Sequence, residues 1–294
     1  MKIFGVLAHT EKAQAAICQQ KIHLLASSFP RDLSKWWVDR HGRLAIFDAK
    51  VIASPDGPLT VALDSSRAIN LRTLVRQKLI NNPAQLDGDF ALASWDGSCL
   101  TLARDHFGQR QLYLARRDDV SLFCSDLEPL LEERRWQREI DWESAVHYLA
   151  RGLAPTSRTL AKGIQSIPAA HVLRWTPPAA PVIQRYWTPL ITRPASLTRE
   201  VVHERIKSTL HAAIESRVLP RANALLLSGG VDSSYLAAYT RRITRKPLTA
   251  YTITYDPGYR KNEDHFAAAV AREIGAEHVR VSLSAGRAYS ILRQ

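Results

Sequence analysis

The segment 225–236, LLLSGGVDSSYL, combines residue types that together could hold a phosphate group. Its loop contains three serines, two glycines and one aspartate, namely Ser228, Gly229, Gly230, Asp232, Ser233 and Ser234. Glycines lack a Cβ atom, so the backbone can turn sharply and bring its N–H groups close to an oxyanion. The serine hydroxyls add further hydrogen-bond donors. These residues predict an anion site that suits a polyphosphate.

The elements on either side of this loop must position it. Residues 224–227 form a short apolar run without alternation, which predicts a buried parallel strand. Residues 235–242 continue at helical spacing, so the positive end of a helix dipole would face the loop near Asp232. No Gly-Lys-Ser/Thr follows the glycines, so this is not the Walker A pattern. The structural alternative is an ordinary Gly-Gly turn that joins a strand to a helix.

The SGGVDSS motif resembles the pyrophosphate loop (PP-loop) of the ATP pyrophosphatases. Those enzymes cleave ATP between the α and β phosphates and adenylate a carboxylate or carbonyl oxygen. The resemblance implies ATP and Mg²⁺ as cofactors, with the leaving pyrophosphate held by the loop and the metal bound by Asp232. By position, Leu226 and Ile253 resemble residues that contact the adenine. The implied nucleotide-binding set is Leu226, Ser228, Gly229, Gly230, Asp232, Ser233, Ser234 and Ile253.

The composition is that of a globular chain with room for two domains, which we place at 1–190 and 196–294. The chain has 294 residues, of which 46% are hydrophobic, and a net charge of +12. The charge is scattered through both halves, so it does not favour a nucleic-acid partner. The first residues show neither a signal peptide nor a spanning segment, which predicts a cytoplasmic protein without a membrane partner. Cys18, Cys99 and Cys124 are widely spaced and are expected to be reduced thiols.

Antiparallel strands dominate the pattern of the front half. We predict strands at 3–8, 86–95, 98–104, 112–116, 121–124, 171–175 and 182–187. Turn residues pair 86–95 with 98–104, and 112–116 with 121–124, as hairpins. Helices are predicted at 68–79 and at 141–149, the second with Asp141 as its N-cap. Arg104 and Asp105 are expected to form a structural ion pair that closes a turn.

Strands and helices alternate in the back half. A helix at 197–218 precedes the loop; a strand at 248–255, a helix at 262–274 ended by Gly275, and a strand at 278–283 follow it. This βαβαβ series predicts a parallel sheet that binds its ligand at the carboxyl ends of the strands. Asp256, Glu263 and Asp264 follow the second strand. They lie either beside the active site or in a solvated loop and helix start.

Four further segments resemble the amino-terminal domain of the asparagine synthetase family. They are LDGDFALASWDG, LARDHFGQRQLYLA, SLFCSDLEPLL, and IQSIPAAHVLRW followed by RYW. The resemblance runs from about residue 86 to about residue 281, and SGGVDSS falls where that family's synthetase domain begins. It implies an α+β front domain of the Ntn-hydrolase type, with αββα layers, and an incomplete α/β parallel-sheet PP-loop domain. Family members include asparagine synthetase, β-lactam synthetase and the lasso-peptide macrocyclases.

The sequence departs from the glutamine-using members at its start. Those members expose a cysteine after methionine removal, and its thiolate and free α-amine attack glutamine. Lys2 stands here instead, so we expect no glutaminase activity. Family members also continue past the point that corresponds to Gln294, with a second glycine-rich loop and the residues that position the acceptor amine. The catalytic residues are therefore expected beyond Gln294, and this chain alone is expected to be weakly active.

The resemblance implies an ATP-dependent, AMP-forming amide-bond ligase that acts on a small-molecule or peptide carboxylate. A lasso-peptide macrocyclase is the first interpretation, with a precursor peptide and a leader protease as partners, and a β-lactam synthetase-like enzyme follows. Asparagine synthetase using ammonia or glutamine is the second interpretation. A nucleotide-binding remnant without catalysis is the third. Transfer-RNA modifying enzymes share the loop but do not carry this front half.

Overall fold

A computed structural model describes most of the chain. The described residues are 2–18, 36–38, 41, 43–47, 50–53, 60–65, 82–117, 120–133, 139–191, 197–218, 223–244, 247–255 and 263–292. The chain divides into two compact units, Met1–Ile191 and Thr192–Gln294. The helix predicted at 68–79 lies outside the described residues.

Two antiparallel sheets form the first unit. Their strands are β1 (Phe4–Ala8), β2 (Trp36–Val38), β3 (Leu44–Phe47), β4 (Lys50–Ala53), β5 (Thr60–Asp64), β6 (Ala91–Trp95), β7 (Leu100–Arg104), β8 (Tyr113–Arg116), β9 (Val120–Cys124), β10 (Ile164–Ser166), β11 (His171–Trp175) and β12 (Val182–Arg185). One sheet has the order β10-β8-β9-β1-β3-β2, and the other has the order β12-β11-β7-β6-β5-β4. Helices α1 (Glu11–Cys18), α2 (Glu128–Glu132) and α3 (Trp142–Arg151) and a 3-10 turn at Pro83–Gln85 accompany them.

Apolar side chains from both sheets meet in one core, so the sheets are stacked face to face. Leu7 and Phe123 of the first sheet pack with Trp95 and Leu173 of the second. Helix α1 buries Ile17 against the outer face of the first sheet, where α2 also packs. A separate buried cluster covers the outer face of the second sheet. This stacked arrangement is the Ntn-hydrolase-like fold that the family resemblance implies.

The central strand β6 is buried on both faces. All five of its residues are buried. Ala91, Ala93 and Trp95 face the core between the sheets, while Leu92 belongs to the cluster on the outer face. The strand begins at Ala91 and not at residue 86. Its antiparallel hairpin with β7 and the hairpin of β8 with β9 are confirmed.

Capping residues mark the start of two helices, and the cap at Asp141 was predicted. Asp141 accepts a hydrogen bond from the backbone N of Ser144 at 3.0 Å, at the start of α3. Thr198 accepts from the backbone N of Val201 at 3.4 Å, at the start of α4 (Arg199–Glu215). Each cap satisfies one of the first N–H groups, which have no acceptor within their helix.

The second unit is built on a parallel sheet. Its strands β13 (Asn223–Leu226), β14 (Leu248–Tyr255) and β15 (Glu277–Leu283) are adjacent in that order. Helices α5 (Val231–Thr244) and α6 (Asp264–Glu273) connect successive strands, and α7 (Ala285–Leu292) follows. The predicted βαβαβ order is confirmed. None of the helices within the described ranges has the length and apolarity needed to cross a bilayer.

The predicted burial of the strand before the loop is wrong. Burial alternates along β13, and Leu226 is 75% exposed. Helices α5 and α6 pack through Ala237 and Ala267 against one face of the sheet, where they meet Leu227 and Ala250. Side chains on the other face of β13 keep their exposure, because a parallel strand is fully buried only when both faces are covered.

Candidate functional site

The predicted phosphate loop lies between β13 and α5, and it is open to solvent. Ser228, Gly230 and Asp232 are exposed. The backbone N of Ser234 donates to the carbonyl oxygen of Gly230 at 3.0 Å, which begins the helical hydrogen bonds of α5. The amides of residues 231–233 come before that point and have no acceptor within the helix. The positive end of the α5 dipole therefore faces the loop, as an anion site requires.

Two serine side chains hold the loop in shape without a ligand. The hydroxyl oxygens of Ser228 and Ser233 lie 3.0 Å apart. The Ser233 oxygen also accepts from the backbone N of Ser228 at 3.3 Å, and the Ser228 oxygen accepts from the backbone N of Gly230 at 3.3 Å. Ser234 lies one residue further along the helix and is half-buried. The loop is thus preorganised by its own hydroxyl groups.

Gly229 is required by both backbone conformation and packing. Its φ is +86°, in the region that favours glycine. A Cβ atom there would lie 2.8 Å from the backbone N of Ala267 and 2.8 Å from the Cβ of Phe266. The turn therefore touches the first turn of α6, which follows the next strand. Two crossover connections of the sheet meet at this glycine.

The acidic residues after β14 are brought to different positions. The carbonyl oxygen of Glu263 would lie 3.1 Å from a Cβ atom at Gly229, so this residue adjoins the loop. The carboxylate of Asp264 lies 3.7 Å from Arg280 Nε in an ion pair. Asp256 lies outside the described residues. Among the described residues, the start of α6 lies beside the loop.

Leu226 and Ile253, the candidate adenine contacts, share the uncovered face of the sheet. Leu226 pairs with Tyr251, and Ile253 follows Tyr251 by two residues, so all three side chains point to one face. Leu226 is 75% exposed and Ile253 is 50% exposed. They form an apolar surface that a planar ring could cover.

Asp232 is the loop's only acidic residue and extends from the first turn of α5. Within the part of the chain that the structure describes, no group of three or more His, Cys, Asp or Glu side chains could hold a metal by itself. Mg²⁺ is commonly bound by one or two carboxylates together with substrate phosphates and water. One exposed carboxylate at a phosphate loop fits that donor set. Asp232 is therefore the residue that would hold Mg²⁺.

Thr252 and His278 support the site, and the sequence analysis missed them. Thr252 is 4% exposed. Its hydroxyl donates to the carbonyl oxygen of Leu227 at 2.7 Å and lies 2.8 Å from Nε2 of His278. These bonds link all three strands at the point where the loop begins. The one sequence signal was a hydroxyl residue in the middle of an apolar strand.

Arg104 and Asp105 in the first unit are structural, but they do not pair with each other. The buried carboxylate of Asp105 accepts from the backbone N of Gln109 at 3.0 Å and of Arg110 at 2.9 Å. Arg104 donates to the carbonyl oxygen of Ile167 at 2.8 Å. The predicted ion pair is wrong, because both side chains instead satisfy backbone groups of a buried turn.

Lys2, which by the family resemblance stands in place of the nucleophile of the glutamine-using members, forms an ion pair with Asp126. Their hydrogen bond raises the pKa of Lys2. The Sγ atom of Cys124 accepts from the backbone N of Asp126 at 3.2 Å. Burial raises the pKa of Cys124 to about 12, so this thiol stays protonated at neutral pH. Cys99, the other thiol whose side chain the structure describes, is half-buried beside the β6–β7 turn.

Comparison with known proteins finds a matching family model for each unit. The model of the glutamine amidotransferase domain family matches residues 76–187, and that of the asparagine synthase family matches residues 205–294. The fold has the same two parts in the same order. Stacked antiparallel sheets come first, and a PP-loop on a parallel sheet follows. The chain belongs to the asparagine synthetase family.

Two curated relatives carry that family's name. Asparagine synthetase [glutamine-hydrolyzing] 3 of Bacillus subtilis is 27% identical over 188 residues, which cover 63% of this chain and 30% of the relative. Asparagine synthetase [glutamine-hydrolyzing] of Gallus gallus is 26% identical over 204 residues, which cover 66% of this chain and 35% of the relative. The matched part therefore spans about a third of the length of these relatives.

Solved structures give looser matches. Glutamine phosphoribosylpyrophosphate amidotransferase from B. subtilis, complexed with ADP and GMP, has a TM-score of 0.41 at 12% identity, covering 98% of this chain and 91% of that chain. The allosteric regulatory enzyme of purine biosynthesis has a TM-score of 0.38 at 11% identity, covering 96% and 80%.

Proposed function

We propose that the chain is the nucleotide-binding part of an ATP-dependent, AMP-forming amide-bond ligase. The observation that carries this proposal is the loop at 228–234. It is open, it is shaped by its own serines, and it stands at the start of a helix. The family membership of the chain supports ATP as the nucleotide and a carbon–nitrogen ligase as the enzyme class.

Each loop residue has a defined task in this proposal. The amides of residues 231–233 and the hydroxyls of Ser228, Ser233 and Ser234 bind the β and γ phosphates, while Gly229 and Gly230 let them approach the backbone. Leu226 and Ile253 lie against the adenine. A substrate carboxylate attacks the α phosphate, pyrophosphate leaves into the loop, and an amine then displaces AMP. Mg²⁺, when bound at Asp232, would supply positive charge for the phosphate oxygens.

Replacement of Asp232 by Asn tests this proposal. The change removes the carboxylate without changing the size of the side chain, so we expect the fold to persist and ATP-dependent formation of AMP and pyrophosphate to fall at least about a hundredfold. Glu273→Gln, an equal loss of charge at the far end of α6, is the matched control and should leave that rate unchanged. Turnover by Asp232→Asn at the control rate would refute the role of the loop.

For the acceptor, we propose ring closure within a peptide, with a precursor peptide and a leader protease as partners. The support is that Cys124, whose Sγ accepts from the backbone N of the Asp126 that pairs with Lys2, is buried and protonated, so this thiol is not activated to release ammonia from glutamine. A peptide with a free α-amine and an internal Asp or Glu should lose one water when incubated with ATP and Mg²⁺. Formation of AMP without that mass change would reject ring closure.

Asparagine synthesis is the second candidate, and the names of both curated relatives favour it. It predicts asparagine from aspartate, ATP and ammonia. Addition of glutamine separates the two forms of this candidate, because release of glutamate would indicate a working glutaminase. ATP binding without pyrophosphate exchange, whatever carboxylate is offered, would instead indicate a nucleotide-binding remnant.

A further inference from the structure

The strand that leads into the loop at 228–234 is tied to its neighbour by a side chain at its last step. Backbone pairing of β13 with β14 ends where Leu226 lies opposite Tyr251. Leu227, the next residue, is 1% exposed, and its backbone N donates to the carbonyl oxygen of Tyr251 at 2.8 Å. Its own carbonyl oxygen accepts from the hydroxyl of Thr252 at 2.7 Å. A side chain therefore holds the last peptide before the loop.

His278 fixes the direction of the Thr252 hydroxyl. A threonine hydroxyl has one proton and a carbonyl oxygen can only accept, so the proton of Thr252 lies towards Leu227. The Nε2 atom of His278 is 2.8 Å from the same hydroxyl oxygen, and it must therefore donate to that oxygen. The imidazole is thus held with a proton on Nε2.

The bond from Thr252 also sets the orientation of the first amide of the loop. Leu227 and Ser228 share a planar trans peptide bond, in which the carbonyl and the N–H point in opposite directions. Because Thr252 holds the carbonyl towards β14, the Ser228 N–H points away from β14, and it donates to the hydroxyl oxygen of Ser233 at 3.3 Å. That hydroxyl in turn donates to the carbonyl oxygen of Gly230 at 3.1 Å. One rigid peptide therefore connects Thr252 to the hydroxyl groups of the loop.

We propose that Thr252 and His278 are positioning residues of the phosphate loop. They fix the Leu227–Ser228 peptide and, through it, the donors that receive the pyrophosphate. Donors that are already ordered bind an anion more tightly, because they lose no further freedom when it binds. This inference rests on the proposed role of the loop at 228–234, and it adds to that role two residues from the neighbouring strands.

Thr252→Val is the first test, because it removes the hydroxyl and keeps the shape of the side chain. We expect the dissociation constant of pyrophosphate with Mg²⁺, measured by calorimetric titration of the full chain, to rise about tenfold, a size typical of coupling through a network of contacts. Thr249→Val is the matched control on the same strand. The Thr249 hydroxyl donates to the carboxylate of Glu277 at 3.1 Å, away from the loop, so this variant should bind like the wild type.

Conservative variants separate positioning from a general loss of structure. Thr252→Ser keeps the hydroxyl, and His278→Gln keeps an N–H donor near the position of Nε2, so both should restore binding. His278→Leu removes the donor and should bind as weakly as Thr252→Val. Circular dichroism and denaturant unfolding check that each variant is folded. If Thr252→Val does not fold, His278→Leu against His278→Gln makes the same comparison at a half-buried side chain.

The amides of the loop give a readout that needs no ligand. In NMR spectra of isotope-labelled protein, the backbone signals of Ser228 and Gly230 should move in Thr252→Val and stay in place in Thr249→Val. The side chain of His278 should carry its proton on Nε2.

The two possible failures are distinct. Equal affinity of Thr252→Val and Thr249→Val for pyrophosphate, or a His278 proton on Nδ1 alone, would overturn the positioning role and leave the loop as a phosphate site. Absence of binding by the wild type would refute the loop as a phosphate site, and this inference with it.

Discussion

Gly229 lies where turn conformation and packing both exclude a side chain. We predict that Gly229→Ala destabilises the second unit by about 1–3 kcal/mol, because a non-glycine residue at positive φ is strained. The added Cβ atom would also press on the backbone of Ala267, 2.8 Å away. Denaturant unfolding, followed by a signal from the second unit, measures the change.

Gly286→Ala is the control for this substitution. Gly286 lies in α7, and a Cβ atom there meets nothing within 4 Å. Alanine is favoured over glycine in helices, so the stability of this variant should be unchanged or slightly higher. If Gly229→Ala behaved like Gly286→Ala, the close contact between the loop and α6 would be wrong.

The buried thiol of Cys124 makes the stability of the first unit depend on pH. Burial raises its pKa from 9.0 in an exposed thiol to about 12. The unfolded chain therefore loses this proton at lower pH than the folded chain. The contribution of this thiol to the free energy of unfolding is fully present below pH 9 and is lost as the pH rises towards about 12.

We therefore predict that the wild type loses more unfolding free energy than Cys124→Ala when the pH is raised from about 8 to about 10.5. Lys2 and other raised groups also titrate in alkali, so the comparison between the two proteins is the measurement. Parallel curves for the wild type and Cys124→Ala would show that the thiol is not buried in this way.

At the scale of elements, close packing between neighbouring strands makes Gly5 in β1 necessary. A Cβ atom there would overlap the ring of Phe123, which is fully buried in the adjacent strand β9. We predict that Gly5→Ala costs about 1–3 kcal/mol of stability through overpacking. Thermal and denaturant unfolding measure it.

Phe123→Leu tests whether that cost is a local clash. The smaller side chain destabilises by itself, but the double variant Gly5→Ala/Phe123→Leu should cost less than the sum of the single changes. If the changes in unfolding free energy of the two single variants were strictly additive, Gly5 would matter for a reason other than its contact with Phe123.

The elements that could be predicted are those whose causes lie close together in the sequence. The hairpins, the cap at Asp141 and the whole of β14 were predicted, because turn residues, caps and apolar runs act within a few positions. The burial expected for β13 was wrong, and the burial of both faces of β6 was not predicted. In each strand the cause is coverage from elsewhere in the fold: both faces of β6 are covered, and one face of β13 is not.

The same division applies to the candidate site. The loop residues could be found from their types and spacing, and the structure keeps them together at the start of α5. The contact of Gly229 with Ala267 and the bonds of Thr252 to Leu227 and His278 join residues more than twenty positions apart. No local pattern in a single sequence predicts such contacts.

At the scale of the whole molecule, the chain combines two units whose sheets differ in kind. The first has antiparallel sheets, and the second has a parallel sheet with an open phosphate loop. Nucleotide binding belongs to the second unit in this proposal, where the loop at 228–234 binds the pyrophosphate half of ATP.

Calorimetric titration of pyrophosphate with Mg²⁺ into the wild type, Ser233→Ala and Ser290→Ala tests that claim most directly. Ser233 belongs to the loop, whereas Ser290 lies in α7 and donates only to the carbonyl oxygen of Arg287 among its described contacts. We predict that Ser290→Ala binds like the wild type and that Ser233→Ala binds about tenfold more weakly or worse, because a hydrogen bond to a charged group is lost. Equal affinities for all three proteins would contradict the account.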